Sequence, residues 1–346
     1  MTKKVDSGTF LSMARQLPVI DVRSPGEFMQ GHIHGAFNIP IFDNEERASI
    51  GTMYVQTGKD PAIKLGMEIV GNKFSHLIEE AERDAPGKEM LLHCWRGGMR
   101  SESLAWFFEK LGYCVTLLEG GYKSYRRFIR KEFEKPMKLF ILGGMTGTGK
   151  TEILIHLAET GQQVIDLEAL ATHKGSAFGH LGQAEQPTTE QFENDLFNSW
   201  DRMDPGKIVW LEHESNKVGK VFLPEPFFNS MQQAPLIIVR LPVEIRIRRL
   251  ISEYACYDKT MLEVSLLNIR EHLGSLQTKL CLDALEKDDF ETVAAHTLAY
   301  YDKTYGNSLR KRPPGTVYKL DFNTDDAVDN STHLLDFLKT QKIYEH

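Results

Sequence analysis

The chain has 346 residues, 41% of them hydrophobic and 26% charged, with a formal net charge of −7 at pH 7. That length and balance call for folded cores and more than one domain, and they exclude a disordered or fibrous chain. The negative total also excludes a global positive field, so a nucleic-acid partner must be met by a local basic patch.

In chain order, "LPVIDV" (17–22) reads as a short buried strand, followed by a loop punctuated by Pro25, Gly26, Gly31, Gly35 and Pro40. Residues 64–82 suit a helix, and "EMLLHC" is a second strand ending at Cys94. "SESLAWFFEKLGY" has helical spacing, with Leu104, Phe107, Phe108 and Leu111 on one face. Trp106 is assigned to that apolar face and the core, and Gly112 is a stop signal. "CVTLLEGG" is the next strand, and residues 122–135 form a charged connecting helix that ends before Pro136. The pattern restarts with "MKLFILGG" and continues through strands at "QQVIDL", "KIVWLE" and "PLIIVRLP". A mostly helical stretch over 243–303, a strand at "TVYKLDF" and a last helix complete the chain. Alternating strands and helices predict an α/β protein with mainly parallel sheets. The expected domains are residues 1–135 and 136–346, the second with a helical C-terminal part.

The cysteines Cys94, Cys114, Cys256 and Cys281 form no CxxC pair, which argues against zinc or a disulfide framework and suits a reducing cytoplasm. No signal-peptide core and no membrane-crossing run is visible, so no membrane partner is expected.

"HCWRGGMRS" places Cys94 at the end of a strand, before a tight loop and a helix. Gly97 and Gly98 let the backbone curl with its N–H groups inward, the helix start adds its dipole, and Arg96 and Arg100 add charge. Such a setting favours a nucleophilic thiolate and holds an oxyanion such as phosphate, selenophosphate or thiosulfate. Cysteine phosphatases share this spacing of Cys and Arg, and a chalcogen carrier suits the same loop.

"GMTGTGKT" (144–151) fits the phosphate-loop pattern G-x-x-x-x-G-K-[ST], with a strand before it and a helix after it. Gly144, Gly147 and Gly149 let amides wrap a diphosphate, Lys150 neutralises it, and Thr151 can hold Mg²⁺. "IVWLEHES" offers Glu212 and Glu214 as the accompanying acid, and "QVIDLE" offers Asp166 and Glu168. Asp166 and Glu212 are the favoured candidates, no metal site is firmly assigned, and the diphosphate need not belong to a nucleotide. Candidate basic patches are Arg126, Arg127, Arg130 and Lys131; Arg246, Arg248 and Arg249; and Arg310, Lys311 and Arg312. Phe178 is a candidate for stacking on a base, and Trp95 either flanks a base or fills the underside of the cysteine loop.

"VIDVRSPGEFMQGHIHGAFNIP" closely resembles the opening of rhodanese domains, with Asp21 and Arg23 expected to brace the fold through a salt bridge. The cysteine loop is one residue longer than the usual sulfurtransferase loop. A rhodanese-like domain followed by a P-loop NTPase-like domain resembles the tRNA 2-selenouridine synthase family. The carrying stretches are "HCWRGGMRS", "GGMTGTGKT", "IDLEALATHKGSAFG" and "WLEHESNKVGKVFLP". Lys174 stands where the family pattern has Arg, and His213 where it has Asp.

The resemblance implies that the wobble 2-thiouridine in the anticodon loop of tRNA becomes 2-selenouridine, with selenophosphate as donor. It also implies an S-geranylated intermediate made from geranyl diphosphate. Cys94 would then handle selenium, with Arg96, Gly97, Gly98 and Arg100 holding selenophosphate supplied by a selenophosphate-producing enzyme. Residues 144–151 would hold geranyl diphosphate. The competing expectation is a cysteine-dependent phosphatase fused to a P-loop small-molecule kinase.

Overall fold

The computed structural model describes residues 2–309 and 312–341, and it divides into two compact units, residues 1–132 and 133–346. In the first unit the elements run β1 (Lys3–Val5), α1 (Ser7–Ala14), β2 (Val19–Asp21), α2 (Pro25–Gln30), β3 (Phe37–Asn38) and α3 (Asn44–Gln56). They continue α4 (Lys59–Gly71), α5 (Phe74–Asp84), β4 (Glu89–His93), α6 (Met99–Lys110), β5 (Cys114–Leu118) and α7 (Gly121–Glu132). The strands form one parallel sheet in the order β1-β5-β4-β2-β3. Met90, Leu91 and Leu92 of β4 are fully buried, as expected for a strand covered on both faces. Because β4 lies between β5 and β2, the loop that follows it leaves the middle of the sheet's C-terminal edge, where α/β folds place their ligands.

The helix expected over 64–82 is two helices, α4 and α5, interrupted at Asn72 and Lys73. The helix expected over 122–135 stops at Glu132, and Phe133 packs edge-on against Phe197 and Phe227 of the second unit. Trp106 is 61% exposed, contrary to the core position expected for it. Leu104, Ala105 and Phe108 take the buried face of α6, and Trp106 falls on the opposite side beside Lys110.

The Asp21–Arg23 pair is fully buried. Arg23 donates through Nε and Nη2 to the Asp21 carboxylate and through Nη2 to the Gly31 carbonyl, and its guanidinium lies 3.7 Å from the Tyr122 ring centre. Burial pushes the Asp21 carboxyl up, but His93 and Arg23 beside it hold it below the usual range. Burial lowers the His93 imidazole below its ordinary value, against the opposing pull of Asp21, and the fully buried Arg23 is the partner that hydrogen-bonds the Asp21 carboxylate directly.

The second unit runs β6 (Lys138–Gly144), α8 (Lys150–Glu159), β7 (Gln163–Ile165), α9 (Leu167–Ala171), α10 (Thr189–Trp200) and β8 (Ile208–Glu212). The short pair β9 (Lys217–Val218) and β10 (Val221–Phe222) precedes α11 (Glu225–Gln233) and β11 (Leu236–Arg240). Five helices follow: α12 (Val243–Tyr254), α13 (Lys259–Asn268), α14 (Arg270–Leu273), α15 (Ser275–Glu286) and α16 (Phe290–Leu309). The chain then returns to the sheet with β12 (Val317–Asp321) and ends on α17 (Ala327–Thr340). The parallel sheet has the order β12-β11-β6-β8-β7, so the phosphate loop also leaves a central strand. One core, including Leu142, Leu154, Trp210 and Val239, packs this sheet. A separate core, including Leu181, Leu262, Leu266 and Cys281, holds the helical part together. Among the described residues no helix is long and apolar enough to cross a membrane.

Replacing Asp21 by Ala leaves the Arg23 guanidinium buried without its counter-charge. The expected loss is about 3–5 kcal/mol, read from urea unfolding of the full chain followed by tryptophan fluorescence. An unchanged midpoint would show that the pair does not brace this unit.

Candidate active site

The first site is built around the end of β4. Gly97 and Gly121 have φ of +65° and +60°, a region that disfavours side chains. A Cβ on Gly97 would come within 2.8 Å of the Leu118 carbonyl, and one on Gly121 within 2.4 Å of the Cys94 carbonyl and the Gly97 amide. The cysteine loop and the start of α7 therefore interlock backbone to backbone. Tyr122 and Lys123 amides donate to the Cys94 and Trp95 carbonyls, both at 2.9 Å. Among the described residues, no acceptor takes the amides of residues 96–100. The loop thus presents free N–H groups at the head of α6, a cradle for an anion.

Cys94 lies beneath that cradle, 3% exposed, with Sγ 3.2 Å from Ser101 Oγ. Ser101 donates its own proton to the Gly98 carbonyl, which leaves its oxygen to accept from the thiol. Arg96 is exposed and has no ion-pair partner among the described residues, so its charge is available to a ligand. Arg100 differs from expectation, because Nη1 donates to Glu27 Oε2 at 2.9 Å and its charge is already shared. Burial raises the Glu27 carboxyl, yet Arg100 outweighs this and holds it below the usual range. Trp95 leans on Tyr122 at 5.7 Å between centroids, in keeping with the underside-filling alternative.

The second site is the loop between β6 and α8. Gly147 and Gly149 have φ of +80° and +77°, and Gly149 is the N-cap of α8. Thr148 bonds back to the Met145 carbonyl through both its amide and its hydroxyl. From outside, Arg246 Nε donates to the Thr146 carbonyl at 2.8 Å while its other nitrogens pair with Asp302. Lys150 Nζ bonds the Gly144 carbonyl at 3.2 Å. The loop opens on a cavity of about 840 Å³, lined also by Glu168, His213, Glu214, Tyr254 and Tyr305.

The acids that face this cavity are not the favoured ones. Asp166 caps α9, accepting from the Ala169 amide at 2.7 Å. Glu212 is fully buried and accepts from the Leu167 amide at 3.0 Å, with burial and Asp166 holding its carboxyl well above the usual range. Both therefore position α9. Glu168 and Glu214 line the cavity instead, and Thr151 Oγ1 donates to Glu168 at 3.4 Å. Their Oε1 atoms converge on Gly175, where a Cβ would stand 2.6 and 2.8 Å away. Burial and the adjoining Glu168 push Glu214 up to about 8. Burial, with Arg312 and Lys150 nearby, pushes His213 down to about 3, so its ring is neutral; Nδ1 lies 3.2 Å from the Tyr305 hydroxyl.

Several residues read as surface features are structural. Arg126, Arg246 and Arg312 are buried, and Arg312 donates to the Met231, Gln232 and Ala234 carbonyls at the end of α11. Arg249 pairs with Glu152. Arg127, Lys131 and Arg248 are exposed, whereas Arg310 and Lys311 lie outside the described residues. Phe178 is buried against Tyr254, centroids 5.8 Å apart, and is not presented to a base. Sequence reasoning passed over Gly121 and Tyr305. The paired glycines in "LLEGG" were a usable signal for the first, and nothing in the sequence ties Tyr305 to Gly143, against which its hydroxyl packs.

The raised Glu214 carboxyl has a pH consequence. The folded group keeps its proton to about pH 8, whereas its ordinary value is 4.5. The native state binds more protons across that window, so stability falls as pH rises through it. Glu214→Gln is expected to flatten that fall, as read from melting temperatures of both proteins across the window. An identical slope in the variant would place the titration elsewhere.

Residues 9–127 match the rhodanese-like domain family, and residues 137–327 match the family described as tRNA 2-selenouridine synthase AAA domain. A curated tRNA 2-selenouridine synthase of Bdellovibrio bacteriovorus is 34% identical, over 88% of this chain and 92% of that protein. The one from Shewanella frigidimarina is 32% identical over the same shares. The one from Nitrosomonas europaea is 38% identical over 72% of this chain and 66% of that protein. With both loops in place and matches that extend over nearly the full length of two of these relatives, the chain belongs to the tRNA 2-selenouridine synthase family.

Proposed function

We propose that this protein replaces sulfur by selenium at the 2-position of the wobble 2-thiouridine of tRNA. Selenophosphate is the donor, and an S-geranylated base made from geranyl diphosphate is the intermediate. The carrying observation is that one chain holds two anion cradles of different chemistry, one with a thiol beneath it and one with a lysine.

At the second cradle, the free amides around Gly147 and Gly149 and the Lys150 ammonium bind the diphosphate and stabilise its charge as it leaves. The thiocarbonyl sulfur attacks C1 of the geranyl group, the C1–O bond breaks, diphosphate departs, and the base gives up its N3 proton. Thr151 and Glu168 suit a Mg²⁺ ion that would add charge neutralisation at the diphosphate. Among the described residues no group of three protein ligands could hold such an ion alone, so diphosphate oxygens would complete its shell.

At the first cradle the free amides of residues 96–100 and the unpaired Arg96 hold selenophosphate over Cys94, which handles the selenium. Alkylation makes the sulfur a better leaving group, which is why the diphosphate chemistry comes first: selenium bonds to C2, the C2–S bond breaks with geranylthiol departing, and water cleaves the P–Se bond to release phosphate. The tRNA backbone is gripped by exposed cations such as Arg127, Lys131 and Arg248, with binding that weakens as salt rises. The reaction is assigned to the cytoplasm, fed by a selenophosphate-producing enzyme.

Nucleoside mass spectrometry of tRNA tests this, using cells that lack the protein and are complemented with wild type, Cys94→Ala or Lys150→Ala. Wild type restores selenium-containing and geranylated uridines. Cys94→Ala keeps geranylation and loses selenation, while Lys150→Ala lowers both by on the order of 100-fold. Selenation surviving in Cys94→Ala with geranylation lost would reverse the two sites. Wild type that alters neither nucleoside overturns the function.

A further inference from the structure

Behind the phosphate loop lies an apolar chamber of about 50 Å³, walled by Phe178, Leu250, Leu262, Phe290, Val293 and Ala294 among others. Thr146, Ser176, Leu250, Tyr254 and Tyr301 line both this chamber and the larger cavity of the loop. The two spaces share a wall, and Thr146 on that wall belongs to the loop itself. A molecule with its phosphates on the loop is therefore beside an apolar recess.

The chamber offers little to a nucleobase. Thr297 Oγ1 is spent on its own helix, donating to the Val293 carbonyl at 2.8 Å and the Ala294 carbonyl at 3.0 Å. The Tyr301 hydroxyl accepts from the Ala177 amide at 3.1 Å. A ring with donor and acceptor edges would find few partners among these mostly apolar walls to replace its hydrogen bonds to water. A hydrocarbon loses nothing, and dry apolar cavities take apolar guests. The size also selects, since an engineered cavity that binds benzene measures about 150 Å³. A space of about 50 Å³ suits the branched end of a chain and not its whole length.

We propose that this chamber receives the far end of the hydrocarbon chain of an isoprenyl diphosphate, and that Ala294 and Phe290 set the chain length that fits. The inference rests on the diphosphate reading given above. The chain would run from the loop along the Leu250 and Tyr254 wall, which both spaces share, with its branched terminus in the chamber.

The test uses the full-length protein, thiolated tRNA, and dimethylallyl, geranyl and farnesyl diphosphates in competition, with the alkylated nucleosides quantified by mass spectrometry. Wild type is expected to favour geranyl. Ala294→Leu, which fills the chamber, shifts the geranyl to dimethylallyl ratio of kcat/KM toward dimethylallyl by about tenfold or more. Phe290→Ala, which deepens it, raises the share of farnesyl by a similar factor. Melting temperatures identify a variant that has lost its fold, and the substrate ratio of the other then decides. Geranyl transfer by wild type with ratios unmoved in the folded variants overturns the chamber and leaves the proposed function standing. Wild type that transfers none of the three overturns the diphosphate reading and this inference with it.

Discussion

The second unit depends on one buried guanidinium. Arg246 reaches from α12 to the Thr146 carbonyl of the phosphate loop and, with its remaining nitrogens, to Asp302 on α16. A loop that must keep amides free for a ligand has few hydrogen bonds left to fix its own shape. Arg246 supplies that constraint from outside and joins the loop to the helices that wall the apolar chamber. The loop, α12 and α16 are thus one mechanical element, and the ligand's charged and apolar ends are held by the same framework.

The first unit meets the same problem differently. Its cysteine loop is fixed by close backbone approach, with Gly97 against the Leu118 carbonyl and Gly121 against the Cys94 carbonyl. No side chain needs to enter the cradle to shape it, so the amides of residues 96–100 remain for an anion. The charges are also distributed unlike those of a simple basic pocket. Glu27 shares Arg100, and Arg96 alone of the two arginines is uncommitted. In the second unit the carboxyls of Glu168 and Glu214 crowd against Gly175 and are raised, which limits the negative charge set against an incoming diphosphate.

Much of this was legible in the sequence. The phosphate loop and the cysteine loop were located by glycine spacing at strand ends, and the parallel sheets followed from alternation of short apolar runs with helices. What was missed shares one cause, the placement of neighbours by tertiary structure. Arg246 in "EIRIRRL" looks like any helix-surface charge until α12 is set against the phosphate loop. Glu212 and Glu214 have the same parity along the strand, so alternation could not separate them. The strand ends at Glu212, which is buried beneath α9, and the chain then turns Glu214 into the cavity. Trp106 is a separate case, since the helical period alone sets it opposite Leu104 and on the exposed side of α6.

Arg312 ties chain order to assembly. The carbonyls closing α11 wait for a guanidinium that arrives some eighty positions later, just before the edge strand β12 is added. During synthesis, a nascent polypeptide lacking this stretch holds those acceptors without their partner and the sheet without its last member. Closing this sheet therefore requires the chain through Arg312 and β12, and a polypeptide stopped upstream of Arg312 lacks both the guanidinium and the edge strand.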